Sequence, residues 1–493
     1  MIKSCFFLFI IYNKDMKTSG YNLFPPLLGH IKNWYSHIDR IKDMGFEWVY
    51  INPITYTGFS GSLYATKYYY QYNPAFFTSS SQNIAEKELK DFLAYCSSKD
   101  IKVMIDLVIN HSSKDCDLTK EHFEWYQTKD NALVSPGAWD NGKWIEWGDL
   151  AVFNNKRDPN EKDEEEEKTS DEKEKVKIIE NTEILNPIWY YWNDLIKHNL
   201  DLGFKGFRCD AAYKVPEELW RYLISNAKKI DNETIFFAES LGCSMEDTEK
   251  LIDAGFDYVA SSAKWWDYEG EWFIEQYDLA RKKCLQIAFP SNHDTRRLIS
   301  EYDGNIWRLK QTFLFTAIVC DMWMITTGDE YGFVKRCNVV GGNENDYENI
   351  NYDLSEYIKD MTNYVKSNSI LANCGEIVSL DIEEKKKLEK LKKETDAHYE
   401  YHEHHEYYEQ EKNYKEKKEK DPFRKFYKYS LDGSDKLLII VNITPKTRKL
   451  DTIEYEIRED LSFENRIENI TETIEILPYQ LKIFALKEKT YWA

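Results

Sequence analysis

No apolar run in the sequence approaches the ~20 residues that a membrane-crossing helix requires, which excludes a bilayer-spanning helical protein. The nearest candidate, Cys5 to Ile11, follows a lysine but is at the short limit for a signal-peptide core. No small-residue cleavage site follows cleanly before Tyr12, Asn13 and Lys14, so secretion is the minority reading and a cytoplasmic location is expected. The nine cysteines are odd in number and contain no C-x-x-C pair, and Cys209 and Cys320 sit in apolar runs where a free buried thiol is expected. That usage favours a reducing compartment. Excess positive charge is also missing: the net charge of -21 argues against nucleic acid as a partner, which binds by phosphate neutralisation. Much of this charge lies in local acidic runs and says little about the fold.

What is present reads as a large, soluble and globular chain. A chain of 493 residues can hold one large domain and one or two smaller ones around an ample core. Its 42% hydrophobic and 31% charged residues place it among globular proteins. Aromatic residues reach 15%, with 35 Tyr and 15 Trp; sugars stack on aromatic faces, although cores use the same residues.

From Tyr21 to about Phe333, short apolar runs alternate with polar loops and helical periods. The clearest strands are Glu47 to Asn52, Lys102 to Asn110, Gly206 to Ala211, Ile235 to Glu239, Phe256 to Ala260, Gln286 to Pro290 and Met322 to Thr326, with a further one near Tyr68 to Tyr72. Such near-continuous apolar strands are buried on both faces, as in a parallel sheet wrapped by helices. Helical periods fall at Ala85 to Ser97, Ile188 to Leu202 and Pro216 to Ala227. Seven or eight β-α units favour an α/β fold built as a (β/α)₈ TIM barrel over residues 20–373. Two segments break the rhythm. Residues 112–185 form a loop-rich insertion, with an acidic run at 160–177 that has too few apolar residues to pack. Residues 374–493 alternate as β-structure and read as a C-terminal β-sandwich, interrupted at 383–421 by a polar low-complexity run expected to be disordered. Its His398, His402, His404 and His405 invite a metal reading, but disorder without fixed ligand geometry is expected instead, and no metal is assigned.

In a barrel, the residues that do chemistry stand at the C-terminal ends of strands. Here those ends are unusually charged: Asp106 to His111 (DLVINH), Arg208 and Asp210, Glu239, Asn292 to Asp294, and Asp329 with Glu330. One such residue is an ordinary solvated strand end; five strands converging acids on one rim would repel unless a site used them. Arg208 and Asp210 are two apart and share a face, so the arginine favours an ionised, nucleophilic Asp210. Glu239 ends the apolar run IFFA, where desolvation raises a carboxyl pKa and prepares it to donate a proton. Two carboxyls in contrasting environments fit glycoside chemistry, one attacking and one protonating the leaving oxygen. Asp294, beside His293, is placed to stabilise an oxocarbenium-like transition state.

These motifs resemble the α-amylase superfamily, glycoside hydrolase family 13. DLVINH is similar to its first conserved region, GFRCDAA to the second, FFAES to the third and FPSNHD to the fourth. The segment Leu185 to Pro187 looks like the motif that closes the inserted domain B, and GDEYG at Gly328 to Gly332 like the eighth strand. The resemblance runs from about Tyr21 to the end and implies Asp210 as nucleophile, Glu239 as general acid/base and Asp294 as transition-state stabiliser. It further implies that His111, Arg208 and His293 grip the sugar and that Tyr64 stacks on it. Bland alternatives stand beside these roles: His111 and His293 as satisfied core histidines, Tyr64 as a wall tyrosine, and Asp106 in a structural pair with Arg208. Asn110 would be either a calcium ligand, as in many relatives, or a strand-end hydrogen-bonder.

The sequence also departs from the family. Ala65 replaces the usual Asp after the stacking Tyr, and Tyr213 and Lys214 replace a Lys-His pair that in amylases helps the acceptor sugar and the calcium site. No cofactor is therefore expected to be required, and Ca²⁺ dependence is doubtful. The stretches YNLFPPLLG, SGSLYATKYY and FRCDAAYKVP look more like the maltosyltransferase-type branch. The expected function is a retaining α-glucan enzyme that cleaves α-1,4-glucosidic bonds by double displacement, taking an α-1,4-glucan or maltooligosaccharide, with no nucleic-acid or membrane partner. Its alternatives are an α-1,4-glucan transglycosylase and, from another class, a catalytically inactive sugar-binding or accessory protein. Oligomeric state is left open.

Overall fold

The structure is a computed structural model that describes residues 17–140, 142–160, 186–398 and 421–487. The N-terminal Cys5 to Ile11 stretch, Leu185, His402, His404, His405 and nearly all of the 160–177 run lie outside the described residues.

Eight parallel strands close into a barrel: β1 (Thr18–Leu23), β2 (Trp48–Ile51), β3 (Lys102–Leu107), β4 (Gly206–Cys209), β5 (Ile235–Ala238), β6 (Tyr258–Ala260), β7 (Leu285–Ala288) and β8 (Met322–Thr326), with β1 paired to both β2 and β8. Strand periodicity sorts the side chains. Trp48, Tyr50, Met104, Phe237, Tyr258, Ile287, Met322 and Met324 fill the barrel interior, while Val49, Ile51, Val103, Ile105, Phe207, Phe236 and Ile325 pack outward in a second core. Gly206 has no room for a side chain, because an added Cβ would lie 2.6 Å from Ile235 and 2.9 Å from its carbonyl oxygen. The outer helices follow the 3.6 period; helix Ile188–Leu202 buries Ile188, Trp189, Trp192, Leu195 and Ile196 and stops at the left-handed Gly203.

The eighth barrel strand is not the one expected. The strand Thr66–Tyr72 pairs antiparallel with Thr55–Thr57 outside the barrel, and β1 supplies the missing position. The reason is legible in TSGYNL: its interior positions are Gly20 and Asn22, so no continuous apolar run marks it. After β3 the chain builds an inserted segment from short pieces, rooted where strand His111–Ser113 pairs antiparallel with Leu150–Val152. Asn186 ties its far end down by donating to the carbonyls of Asn154 (2.7 Å) and Lys156 (2.8 Å).

At the C-terminus, the strands Ile377–Ser379, Phe423–Tyr429, Lys436–Asn442, Leu481–Leu486 and Ile457–Asp460 form an antiparallel sheet, and Arg448–Asp451 pairs with Thr473–Ile476. Residues from both sheets, among them Leu438, Ile440, Leu450, Ile474, Ile476 and Phe484, share one core. The polar run from residue 383 departs from the expected disorder in its first part, which is helical over Leu380–His398. Helix-favouring Lys, Glu and Leu, the buried Ile382 and the contacts of Lys385 with Glu271 (3.0 Å) and Glu389 (3.6 Å) account for it.

Candidate active site

The interior periodicity carries polar groups up each strand to one mouth. On β3, Met104 is followed by Asp106; on β4, Gly206 by Arg208 and then Asp210; on β5, Phe237 by Glu239. Arg208 and Asp106 stand opposite each other in the β3–β4 register. The Arg208 guanidinium donates to both Asp106 oxygens at 3.0 Å and to Asp210 Oδ1 at 2.6 Å, so one buried cation joins two carboxylates. The Asp106 Oδ2 also accepts from Tyr50 (2.6 Å) and Tyr64 (2.8 Å). Asp106 thus acts within the barrel wall, holding the arginine that touches Asp210.

Glu239 sits one residue beyond β5 and part-buried. Its two oxygens accept backbone N–H groups, Oε1 from Leu241 (3.0 Å) and Oε2 from Ala211 (3.1 Å). Ala211 directly follows Asp210 and holds a left-handed φ of 43°, so the same turn that presents Asp210 also positions Glu239. Burial pushes the Glu239 carboxyl up to about 7, against the pull of Arg208 and with the help of the Asp210 charge. Asp294 is governed differently. Burial would raise its pKa, but His293, whose Nε2 lies 3.0 Å from Oδ2, outweighs it together with Arg208 and Arg336 and holds this carboxyl well below the usual range. Its side chain stays 48% exposed at the mouth. Three carboxyl groups therefore differ in kind: one in contact with arginine, one holding its proton near neutrality, one kept ionised by an imidazole.

The sugar-binding candidates surround them. The Tyr64 ring lies parallel to His293 (5.6 Å, 8°), and its hydroxyl reaches His293 Nε2 at 2.6 Å. Tyr64 is thus locked into the Asp106–His293 network. His111 is buried, its Nδ1 3.1 Å from the Asn110 amide nitrogen, and burial lowers its pKa while Asp210 opposes that. The His111 Nε2 and the His293 Nδ1 are buried without a hydrogen-bond partner among the described residues, which is uncommon for imidazole nitrogens in a closed core. Asn110 turns its amide on His111, and no group of three or more His, Cys, Asp or Glu side chains stands ready for an ion among the described residues. That contact uses the Asn110 amide nitrogen and leaves Oδ1, the atom a calcium ion would take, out of it.

Two acids expected on this rim, just past β8, are each tied to an arginine. Asp329 is bound by Arg297 (3.0 Å), Ser291 (2.9 Å) and the Thr326 N–H (2.9 Å), and Glu330 by Tyr21 (2.8 Å), the Gly328 N–H (3.0 Å) and Arg40. Each is balanced by its own arginine, which removes the repulsion that the sequence pattern implied. Conversely, Tyr50 and Asn52 belong to the network and were missed. Asn52 donates to both the Tyr50 and Tyr64 hydroxyls at 3.1 Å. Their signal was the interior phase of β2, which Trp48 and Tyr50 share. Beyond the nucleophile candidate, the Lys214 amine lies over the Tyr213 ring at 5.1 Å, and Ala65 is fully buried.

Known proteins resemble the chain in sequence and in fold. Residues 21–136 match the glucanotransferase domain of glycogen debranching enzyme. The chain is 23% identical over 367 residues to the alpha-1,4-glucan:maltose-1-phosphate maltosyltransferase of Burkholderia pseudomallei, covering 72% of this chain and 29% of that protein. It is 24% identical to the maltogenic alpha-amylase of Bacillus acidopullulyticus, covering 71% of this chain and 58% of that one. The chain thus spans less than two thirds of the length of either relative. Among solved structures, an alpha-amylase from Lactobacillus plantarum superposes with a TM-score of 0.67 at 16% identity, covering 96% of this chain and 98% of that one. An alpha-amylase from Geobacillus thermoleovorans, complexed with acarbose, does so at 0.64 and 15%, covering 97% and 99%.

Proposed function

We propose that this chain is a member of the α-amylase superfamily and a retaining enzyme that cleaves α-1,4-glucosidic bonds of α-glucans. The observation that carries the reading is the contrast between adjacent carboxyls: Asp210 touches Arg208, while Glu239 holds its proton up to about 7. In the first step the Asp210 carboxylate attacks the anomeric carbon as Glu239 gives its proton to the departing glycosidic oxygen. Asp294, kept ionised by His293, faces the positive charge that develops on the ring. In the second step Glu239, now a carboxylate, takes a proton from water or a sugar hydroxyl, which displaces Asp210 and restores the starting anomer. His111, close to the Asp210 charge, and His293, beside Asp294, are the imidazoles that would bond sugar hydroxyls at the cleavage site. Tyr64, bonded to Asp106 and His293, would stack on the sugar there.

Water and a sugar acceptor use the same three carboxyls, and the outcome turns on how the acceptor region excludes water. Tyr213 and Lys214 stand in the sequence where relatives carry a Lys-His pair that helps bind the acceptor sugar. Incubation with maltoheptaose, resolved by product length and by anomeric NMR, is expected to give α-configured products. Chains longer than seven units would assign transfer, shorter reducing sugars alone would assign hydrolysis, and an initial β-anomer would reject double displacement. We further propose that no metal is needed, because Tyr213 and Lys214 stand in the sequence where relatives carry a Lys-His pair that supports the calcium site. Treatment with a calcium chelator is expected to change kcat by less than about twofold and to leave the melting curve in place. A loss of activity restored by Ca²⁺ would overturn this.

A further inference from the structure

Two buried asparagines decide which way the protons of the tyrosine network point. Asn22 lies on β1 and Asn52 follows β2 by one residue. The reference point is the backbone. Asn22 meets the Tyr50 carbonyl oxygen at 3.3 Å, and a carbonyl only accepts, so the Asn22 atom there is Nδ2. The same Nδ2 lies 2.7 Å from Asn52, which must receive it with Oδ1. That turns the Asn52 Nδ2 toward the Tyr50 and Tyr64 hydroxyls, both at 3.1 Å. Asn22 keeps this orientation although its own Oδ1 is buried without a hydrogen-bond partner among the described residues, which costs the fold stability.

Each tyrosine hydroxyl has one proton to give. Receiving from Asn52, neither can spend it there, and both reach Asp106 Oδ2, Tyr50 at 2.6 Å and Tyr64 at 2.8 Å. Tyr64 then has a lone pair left for His293 Nε2 at 2.6 Å, so that nitrogen carries a hydrogen, which also faces Asp294 Oδ2 at 3.0 Å. Asp106 depends on such donors: burial and the Asp210 charge raise its pKa, while Arg208 and the Tyr50 hydroxyl oppose them. One nitrogen, Arg208 Nη1, serves both Asp106 oxygens at 3.0 Å and Asp210 Oδ1 at 2.6 Å, and its shorter contact is to Asp210. With two hydroxyls supplying Oδ2, Asp106 draws less on that nitrogen and leaves more of it to Asp210. We propose that Asn52, aimed by Asn22, is a positioning residue for the nucleophile: it directs both tyrosine protons to Asp106 and so frees Arg208 to hold Asp210 in place. The inference rests on the nucleophile's role proposed above for Asp210.

Asn52→Asp tests it, because the variant keeps the shape and the bond from Asn22 but puts an acceptor where the donor stood. Ionised, the new carboxyl would draw the hydroxyl protons away from Asp106; protonated, it can donate to a tyrosine again. Burial and the Asp106 charge should hold its proton well above the ordinary carboxylate range. Relative to the parent at the same pH, kcat is expected to fall about a hundredfold at pH 8 and to regain about tenfold of that loss at pH 5. Asn52→Leu, which has no donor at any pH, should show the same loss at both. A parent-like kcat for Asn52→Asp, or a loss equal at pH 8 and pH 5, overturns the proposal. A second measurement needs no Asn52 variant: NMR of the full chain labelled with ¹⁵N-histidine, the His293 signal being identified by its loss in His293→Gln. A hydrogen on His293 Nε2 is expected; a bare Nε2 means that Tyr64 sends its proton to His293 and overturns the proton order. Activity retained in Asp210→Ala would instead remove the nucleophile reading beneath the proposal, whatever the Asn52 variants do.

Discussion

Replacing Asp210 by Ala is expected to lower kcat on maltooligosaccharides by about 10⁴-fold or more, roughly 5.5 kcal/mol of transition-state stabilisation, with the fold retained. The size follows from the role. Without the carboxylate no covalent intermediate forms, and water has no positioned base on that face of the sugar. Retention of the fold follows from the Arg208 contacts. That buried guanidinium would still bond both oxygens of Asp106 at 3.0 Å, so it is not left as an unpaired charge, which is the costly outcome. A thermal melt within a few degrees of the parent would verify this. The substitution also opens a space beside Arg208 large enough for a small anion. Formate or azide, supplied with a substrate carrying an activated leaving group, should partly restore turnover and deliver the opposite anomer. Wild-type-like activity, or rescue with unchanged anomeric configuration, would remove Asp210 from the nucleophile's role.

How much of this was readable beforehand depended on which physical signal each residue carries. Strands such as KVMIDL and MWMIT are apolar on both faces and announce themselves. The strand TSGYNL does not, because Gly20 and Asn22 face the interior and break the run, and the eighth strand is expected instead near Tyr68 to Tyr72. The catalytic candidates were legible because acids at the ends of buried strands have few structural uses. That same logic over-reached at Asp329 and Glu330, whose partners Arg297 and Arg40 lie 32 and 290 residues away in sequence and could not be paired from spacing. The tyrosine network was hidden for a related reason. Tyr50 and Tyr64 are ordinary wall residues until the closed barrel brings Asp106 and His293 between them. Helix Leu380–His398 shows the limit of composition: a Lys/Glu-rich run carries equal signals for solvated coil and for helix, and the buried Ile382 at its start tips the balance.

Glu239→Gln is expected to abolish most activity on natural glucans, by about 10³-fold, while sparing the first step on substrates whose leaving group needs no proton. The pH dependence makes this a test of the proton itself. Because burial pushes the Glu239 carboxyl up to about 7, the parent enzyme should hold kcat/KM below that pH and lose it as pH rises through it. Asp294 stays ionised throughout this range, since His293 holds it far lower, so it contributes no limb there. The same shift has a stability consequence of defined sign. Between the ordinary value of 4.5 and about 7 the folded protein binds a proton that the unfolded chain has released, so stability falls as pH rises across that window. At pH 8 the folded state carries a penalty of ~2–3 kcal/mol for ionising a part-buried carboxyl, which the neutral amide of Gln avoids. The variant should therefore melt higher than the parent at pH 8 and at about the same temperature at pH 4.5. A catalytic acid held at a cost to the fold predicts this crossover; a carboxyl that merely caps the Ala211 and Leu241 N–H groups predicts the reverse, because Gln would then lose two charge-assisted hydrogen bonds at every pH.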